Sequence, residues 1–150
     1  MSDAAMPARE LDQSEVLACL ERERVVRVAF QDEHNAYVIP LRYVFYDGML
    51  WGVAHRGRKL ELAAEAPRVG LQVDTTAETG TFAWQSVMGT GSFILVSEAA
   101  EARIVGERLS ERFADAPSWW GEDQAAAGRE GDLIIWRIEP DPLSGRAEGP

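Results

Sequence analysis

The chain has 150 residues, 46% of them hydrophobic and 27% charged, with a net charge of −10; that is the balance of a soluble domain with a sizeable core. Such acidity excludes broad binding to nucleic acid or to an anionic membrane, since both require an extended basic face; no apolar run is long enough to span a bilayer. A single cysteine, Cys19, precludes an internal disulfide, and the N-terminal residues lack a secretory signal pattern, so the expected location is cytoplasmic.

Residues 1–11 read as a loose leader. Asp12 then offers a helix cap, with Glu15 at the capping-box spacing, and Val16, Leu17 and Leu20 form an apolar stripe beside Cys19. The β-branched run 25–31 predicts a strand, broken by a turn at 32–35. The next strand, 36–45, is interrupted by Pro40, which cannot donate to a ladder and so marks an edge or a bulge. The turn "YDG" (46–48) leads back into strand 49–55. A short helix is predicted over 57–66, ending before Pro67. Strands follow at 68–74 and 81–97, the second with Gly89 and Gly91 as places for a bulge or bend. A helix capped by Ser97 is expected over 97–114, then a loop or broken helix at 115–131 that contains Trp119 and Trp120. Strand 132–140 comes last, before an irregular tail at 141–150.

Six strands, few helices and mostly short turns predict one mainly β domain with minor α content, a small antiparallel barrel. In 36–45 the alternation sends Tyr37, Ile39, Leu41, Tyr43 and Phe45 one way and Val38, Val44 and Tyr46 the other. An antiparallel sheet ordinarily leaves one face wet, so strands apolar on both faces imply an outer cover, a second subunit or a flat ligand.

The segment "HRGRKLELA" (55–63) sets Arg56, Arg58 and Lys59, the only lysine of the chain, around Gly57. A helix start carries unsatisfied amides and a partial positive charge, and cations there cost up to about 1 kcal/mol each. A phosphate bound to the amides and the cations would resolve the conflict, and Gly57 would let it approach the backbone closely. His55 could add a donor. The residues alone leave a second reading open, a solvated turn whose cations pair with Glu61, Glu65 or acids elsewhere.

The order "VIPLRYVFYDGMLWGVAHRGRKLEL", "APRV", "WQSVMGTGSFILV" and "WRIEPDPLSGR" resembles the flavin-binding split-barrel family related to pyridoxamine 5′-phosphate oxidase, in its small nitroimidazole-resistance-like branch. The resemblance spans roughly residues 14–146. It implies a six-stranded antiparallel split β-barrel, like that of the flavin reductases, that forms a homodimer with FMN in two clefts at the subunit interface. On the matching positions, His55, Gly57, Arg58 and Lys59 would hold the FMN phosphate. Ile39, Leu41 and Arg42 would lie along the isoalloxazine, and Gln85, Ser86 and Val87 would meet the flavin from a neighbouring strand. The deazaflavin F420 and haem are the alternative cofactors. Arg56 stands where the family often has a small or hydroxyl residue, and Arg42 where Asn is common. The Arg-rich C-terminal pattern that grips pyridoxal phosphate is missing, so pyridoxamine 5′-phosphate oxidase activity itself is not expected.

Other chemistries fit poorly. Two histidines and one cysteine, without metal-ligand spacing, do not make a transition-metal site. "GTGSFI" lacks the third glycine of a dinucleotide loop, and no G-x-S-x-G elbow exists. His34 falls in a turn and is expected in solvent. Trp51, Trp84 and Trp136 are expected in the core or an interface. For Trp119 and Trp120 core packing is the first expectation, with closure over a flat ligand the second. The functional expectation is an FMN-dependent oxidoreductase of small electron-poor substrates, nitroaromatics or quinones, with no catalytic side chain assigned. The alternative is a non-enzymatic flavin, F420 or haem binding protein or redox sensor on the same fold.

Overall fold

Asp12 and Glu15 form the reciprocal cap that their spacing predicts. The Asp12 carboxylate accepts from the Glu15 amide at 2.9 Å and the Glu15 carboxylate accepts from the Asp12 amide at 3.2 Å. The helix they start, α1 (Gln13–Arg22), buries Val16, Cys19 and Leu20. The computed structural model describes residues 8–120 and 133–150.

Alternation of apolar and polar residues builds the next elements. Strand β2 (Val25–Asp32) turns Val26, Val28 and Phe30 inward and pairs with β3 (Asn35–Arg42) across a tight turn, with Asp32 opposite Asn35. The predicted 36–45 strand is two strands. It breaks at Tyr43, whose hydroxyl donates to the Leu20 carbonyl at 2.7 Å and whose amide donates to Arg24, and resumes as β4 (Val44–Tyr46). Asp47 and Gly48 both adopt positive φ, 54° and 72°, which is the turn that lets β4 fold directly onto β5 (Met49–His55). Helix α2 (Arg58–Glu65) is followed by β6 (Arg68–Asp74), a short helix α3 (Thr76–Thr79) and the long β7 (Trp84–Val96). Helix α4 (Ala99–Arg112), β8 (Leu133–Pro140) and β9 (Ser144–Glu148) complete the order, with β1 (Arg9–Glu10) at the front.

The sheet is antiparallel throughout and runs β3-β2-β6-β7-β8-β5-β4. Its six long strands, β2, β3, β5, β6, β7 and β8, are the six that the sequence predicts, and they form the split barrel. Pro40 sits on β3, at one end of the sheet path, where its missing donor costs nothing. The tail expected to be irregular contains β9. It pairs with β7 and with β1, so Arg9 and Glu10 of the expected leader are strand as well.

Gly89 and Gly91 do not make a bulge, because β6 pairs with β7 in unbroken register from Arg68↔Ser92 to Asp74↔Ser86. They mark the place where β7 changes its other partner, from β9 (through Met88↔Ser144) to β8 (from Gly91↔Pro140). A side chain at Gly91 would sit 2.7 Å from the Glu139 carbonyl, and one at Gly89 2.6 Å from a Leu143 methyl; close strand approach at this corner is what both positions require. Ser97 is not a cap: Glu98 precedes α4, with no side-chain bond to the helix amides.

Two apolar clusters result. Inside the barrel, Phe93 stacks on Trp136 at 5.1 Å and meets Phe30 edge-on at 5.2 Å. Outside it, α4 lays Val105 and Leu109, followed by Phe113, over Trp51, Val44, Tyr46 and Ile135. The outer faces of β4, β5 and β8 are therefore covered by the chain's own helix and not by a second molecule. Val38 on β3 stays 60% exposed. No described helix is long and apolar enough to cross a membrane.

Candidate functional site

The end of β3 and the end of β5 meet because of Gly52. A side chain there would overlap the Trp136 ring and lie 2.7 Å from the Arg42 carbonyl. With only hydrogen at that position, the indole seats over β5 and β3 closes against it. Arg42 is thereby carried next to Val53, Ala54 and His55. Lys59 enters from the first turn of α2, and the end of α4 supplies Leu109 and Phe113, with Trp119 and Trp120 just beyond. These groups enclose a cavity of about 280 Å³.

The cavity wall is the answer to the basic turn. Arg42, His55 and Lys59 line it, and no carboxylate does among the described residues, although the chain has 25 acidic residues. Gly57 precedes α2 without a side-chain cap. The Leu60 and Glu61 amides both donate to its carbonyl, at 3.1 and 3.2 Å, so the amides before them have no acceptor within the helix. The backbone of Gly57 is extended (φ 167°), a conformation open to any residue, and a Cβ there would meet no protein atom within 4 Å. Neither backbone conformation nor packing asks for glycine here, and the space beside these amides suits an anion.

The three cations of the turn differ. The Arg58 guanidinium donates to Asp32 on β2 at 2.8 Å and lies 4.0 Å from Glu61, so for Arg58 the carboxylate pairing considered above is realised. Lys59 forms no ion pair among the described residues and faces the cavity. Arg56 is exposed.

The remaining residues singled out in the sequence fall in two places. Leu41 and Arg42 line the cavity, while Ile39, two residues back, packs half-buried on the barrel core. Gln85, Ser86 and Val87 lie on β7, away from it. Val87 is fully buried, Ser86 accepts from Gln72 at 3.0 Å, and Gln85 accepts from Arg22 at 3.3 Å beside a separate cleft of about 430 Å³. The two clefts share no residue. Within one chain, β7 does not meet the basic cavity.

Sequence reading missed Val53, Leu109 and Phe113 as wall residues. They are common apolar residues whose place depends on how α4 crosses the sheet. Trp120 packs on Phe113 at 6.0 Å and lies under the Arg42 guanidinium at 5.9 Å, so it joins the outer apolar cluster, as expected first, while Trp119 stays exposed; both line the cavity. His34 is in solvent, its side chain 88% exposed, and Trp51 and Trp136 are fully buried. No group of potential metal ligands occurs among the described residues.

Residues 12–147 match the family described as pyridoxamine 5′-phosphate oxidase. The chain belongs to the pyridoxamine 5′-phosphate oxidase family. Among solved structures, it is 26% identical to a FAD-binding protein from Mesorhizobium loti, with a TM-score of 0.78 over 96% of this chain and 100% of that one. A candidate 5-nitroimidazole antibiotic resistance protein from Bacteroides thetaiotaomicron shares the fold at 14% identity (TM-score 0.73, 94% of this chain and 87% of that one). So does HutZ, the haem storage protein of Vibrio cholerae, at 17% identity (TM-score 0.71, 91% and 96%). No curated protein matches the chain. Proteins described as FAD-binding and as haem-storing thus share this fold, and what this chain binds has to be argued from its own cavity.

Proposed function

We infer that this protein is an FMN-dependent oxidoreductase acting on small electron-poor molecules of the nitroaromatic or quinone type. The observation that carries the reading is the cavity wall: Arg42, His55 and Lys59 with three aromatic side chains and, among the described residues, no acid, in a chain of net charge −10. A ligand with an anionic end and a flat ring satisfies both halves of that wall, and a flavin mononucleotide has both. The 26%-identical FAD-binding neighbour supports a flavin.

In this reading Lys59 and the amides beside Gly57 hold the phosphate, Arg58 joins them from its exposed pair with Asp32, and His55 adds a donor. Leu41 and Val53 give the ring an apolar bed. The bound flavin supplies hydride or electron transfer, while the protein binds it, orients it and keeps water from one face. Gln85, on the far side of the chain, reaches the cofactor only from a second copy. The reading therefore includes a homodimer, with exposed Tyr37 and Val38 of β3 and Met88 of β7 as apolar surface for it to cover.

A second reading, a flavin, F420 or haem carrier or sensor without turnover, is favoured by the same wall, because its described residues include no carboxylate to serve as general acid or base. The visible spectrum of freshly purified protein, with the pigment identified by mass, separates the cofactors. Bleaching by NADH or NADPH and reoxidation by a nitro compound or quinone establishes the enzyme, and a spectral change without turnover establishes the carrier. Colourless protein that takes up none of these pigments would refute both.

A further inference from the structure

Trp119 is 60% exposed, yet it lines the basic cavity. Its neighbour Trp120 is engaged, between the Phe113 ring and the Arg42 guanidinium. No ring or cation packs on Trp119 among the described residues. Such an indole at the lip of an aromatic and cationic cavity offers a π-face and large apolar area that none of the described residues covers.

The segment that carries it is held firmly. Arg24, at the start of β2, grips Asp115 with two bonds of 2.9 and 2.6 Å, donates to the Arg112 carbonyl, and sits 4.9 Å over the Phe113 ring. Arg112 in turn donates to the Arg22 carbonyl. The end of α4 is thus clamped to the junction of α1 and β2, and the Trp120 amide donates to Pro117 at 3.0 Å. Trp119 is presented at a fixed distance from the clamp, so closing on a ligand costs little ordering of the backbone.

We propose that Trp119 stacks on the ring of the bound cofactor, closing the cavity on the side opposite β3, while Arg42 and Trp120 fix the height at which the ring lies. The inference rests on the flavin reading of this cavity. It assigns the tryptophan pair to ligand binding and gives the pocket its preference for a flat heteroaromatic ring carrying a remote anion.

The test is titration of FMN into wild type, Trp119→Ala and Trp119→Phe, following flavin emission and affinity, with far-UV circular dichroism to confirm folding. Stacked indole quenches flavin emission. The wild type is expected to bind FMN with its emission suppressed. Trp119→Ala should bind about tenfold more weakly, with the emission of the bound flavin largely restored. Trp119→Phe should keep the affinity within about threefold, because a ring remains, and show partial recovery. If Trp119→Ala binds FMN as tightly and as darkly as wild type, the stacking assignment is wrong while the flavin reading stands. If the wild type binds no FMN, both fall.

Discussion

The Arg58 guanidinium donates to the Asp32 carboxylate at 2.8 Å, joining the first turn of α2 to the end of β2. Both side chains are well exposed, so the pair contributes only about 0–1 kcal/mol, and a phosphate at Gly57 competes for the same guanidinium. Asp32→Asn should release Arg58 and tighten FMN binding by roughly two- to threefold, with Tm unchanged. Isothermal titration of the variant checks this; weaker binding would mean that Asp32 positions Arg58 for the ligand and does not compete with it.

Lys59 has no such competitor among the described residues. Lys59→Glu puts an anion into a wall with no carboxylate among its described residues, and FMN retention through purification should drop at least about tenfold. The fold should persist, because Lys59 carries no packing of the core. Absorbance of the purified variant per mole of protein is the measurement.

Gly52→Ala should be costly far beyond the size of a methyl group. The added carbon would overlap the Trp136 ring and fall 2.7 Å from the Arg42 carbonyl, and Trp136 is fully buried. A loss of about 3 kcal/mol is expected, lowering Tm by roughly 6–12 °C for a chain of this length. Because the same change pushes β3 away from β5, cofactor affinity should fall with stability. A variant as stable as wild type would place the ring elsewhere.

Glu23 is only 6% exposed, and burial raises its pKa above the ordinary 4.5, with the hydrogen bond from Arg22 opposing the shift and Glu78 adding to it. The folded chain thus holds this proton better than the unfolded one. The stability so gained is present below pH 4.5 and is lost as pH rises through the folded value. Glu23→Gln keeps the shape without the charge. Its Tm relative to wild type should climb between pH 4.5 and neutrality, and a difference flat across that span would contradict the assignment.

Cys19 has no exposed surface, and burial, with Glu23 nearby, pushes its thiol up to about 11. Aromatic disulfide reagents should label it at pH 8 at least about a hundredfold more slowly in native protein than in urea, because reaction waits on opening of the fold. Fast native labelling would show that α1 lifts from the barrel readily.

The strands were legible because their information is local. Val26, Val28 and Phe30 alternate within β2, and Asp47–Gly48 permits its turn without help from elsewhere. What escaped depends on distant partners. The Gly89–Gly91 pair reads as a bulge or a bend until β8 and β9 are seen to meet β7 there. The 144–148 segment is not apolar enough to announce a strand, and becomes one by pairing with β7 and β1. At the site, the conflict of cations and helix start drew attention to Lys59 and Gly57, which border the basic cavity or its helix start, and left Arg58 undecided until Asp32 came within reach. Leu109 and Phe113 carry no mark of their own; the crossing of α4 assigns them.

The pairing of β1 with β9 sets a timetable for biosynthesis. Arg9 and Glu10 emerge from the ribosome more than a hundred residues before their partners Arg146 and Ala147. The same late strand shields one edge of β7 from Trp84 to Met88. Until β9 is made, a nascent chain must therefore carry a half-dressed sheet with a raw edge at its centre. Stalled or clipped products ending before Ser144 should be the ones that chaperones seize and proteases clear.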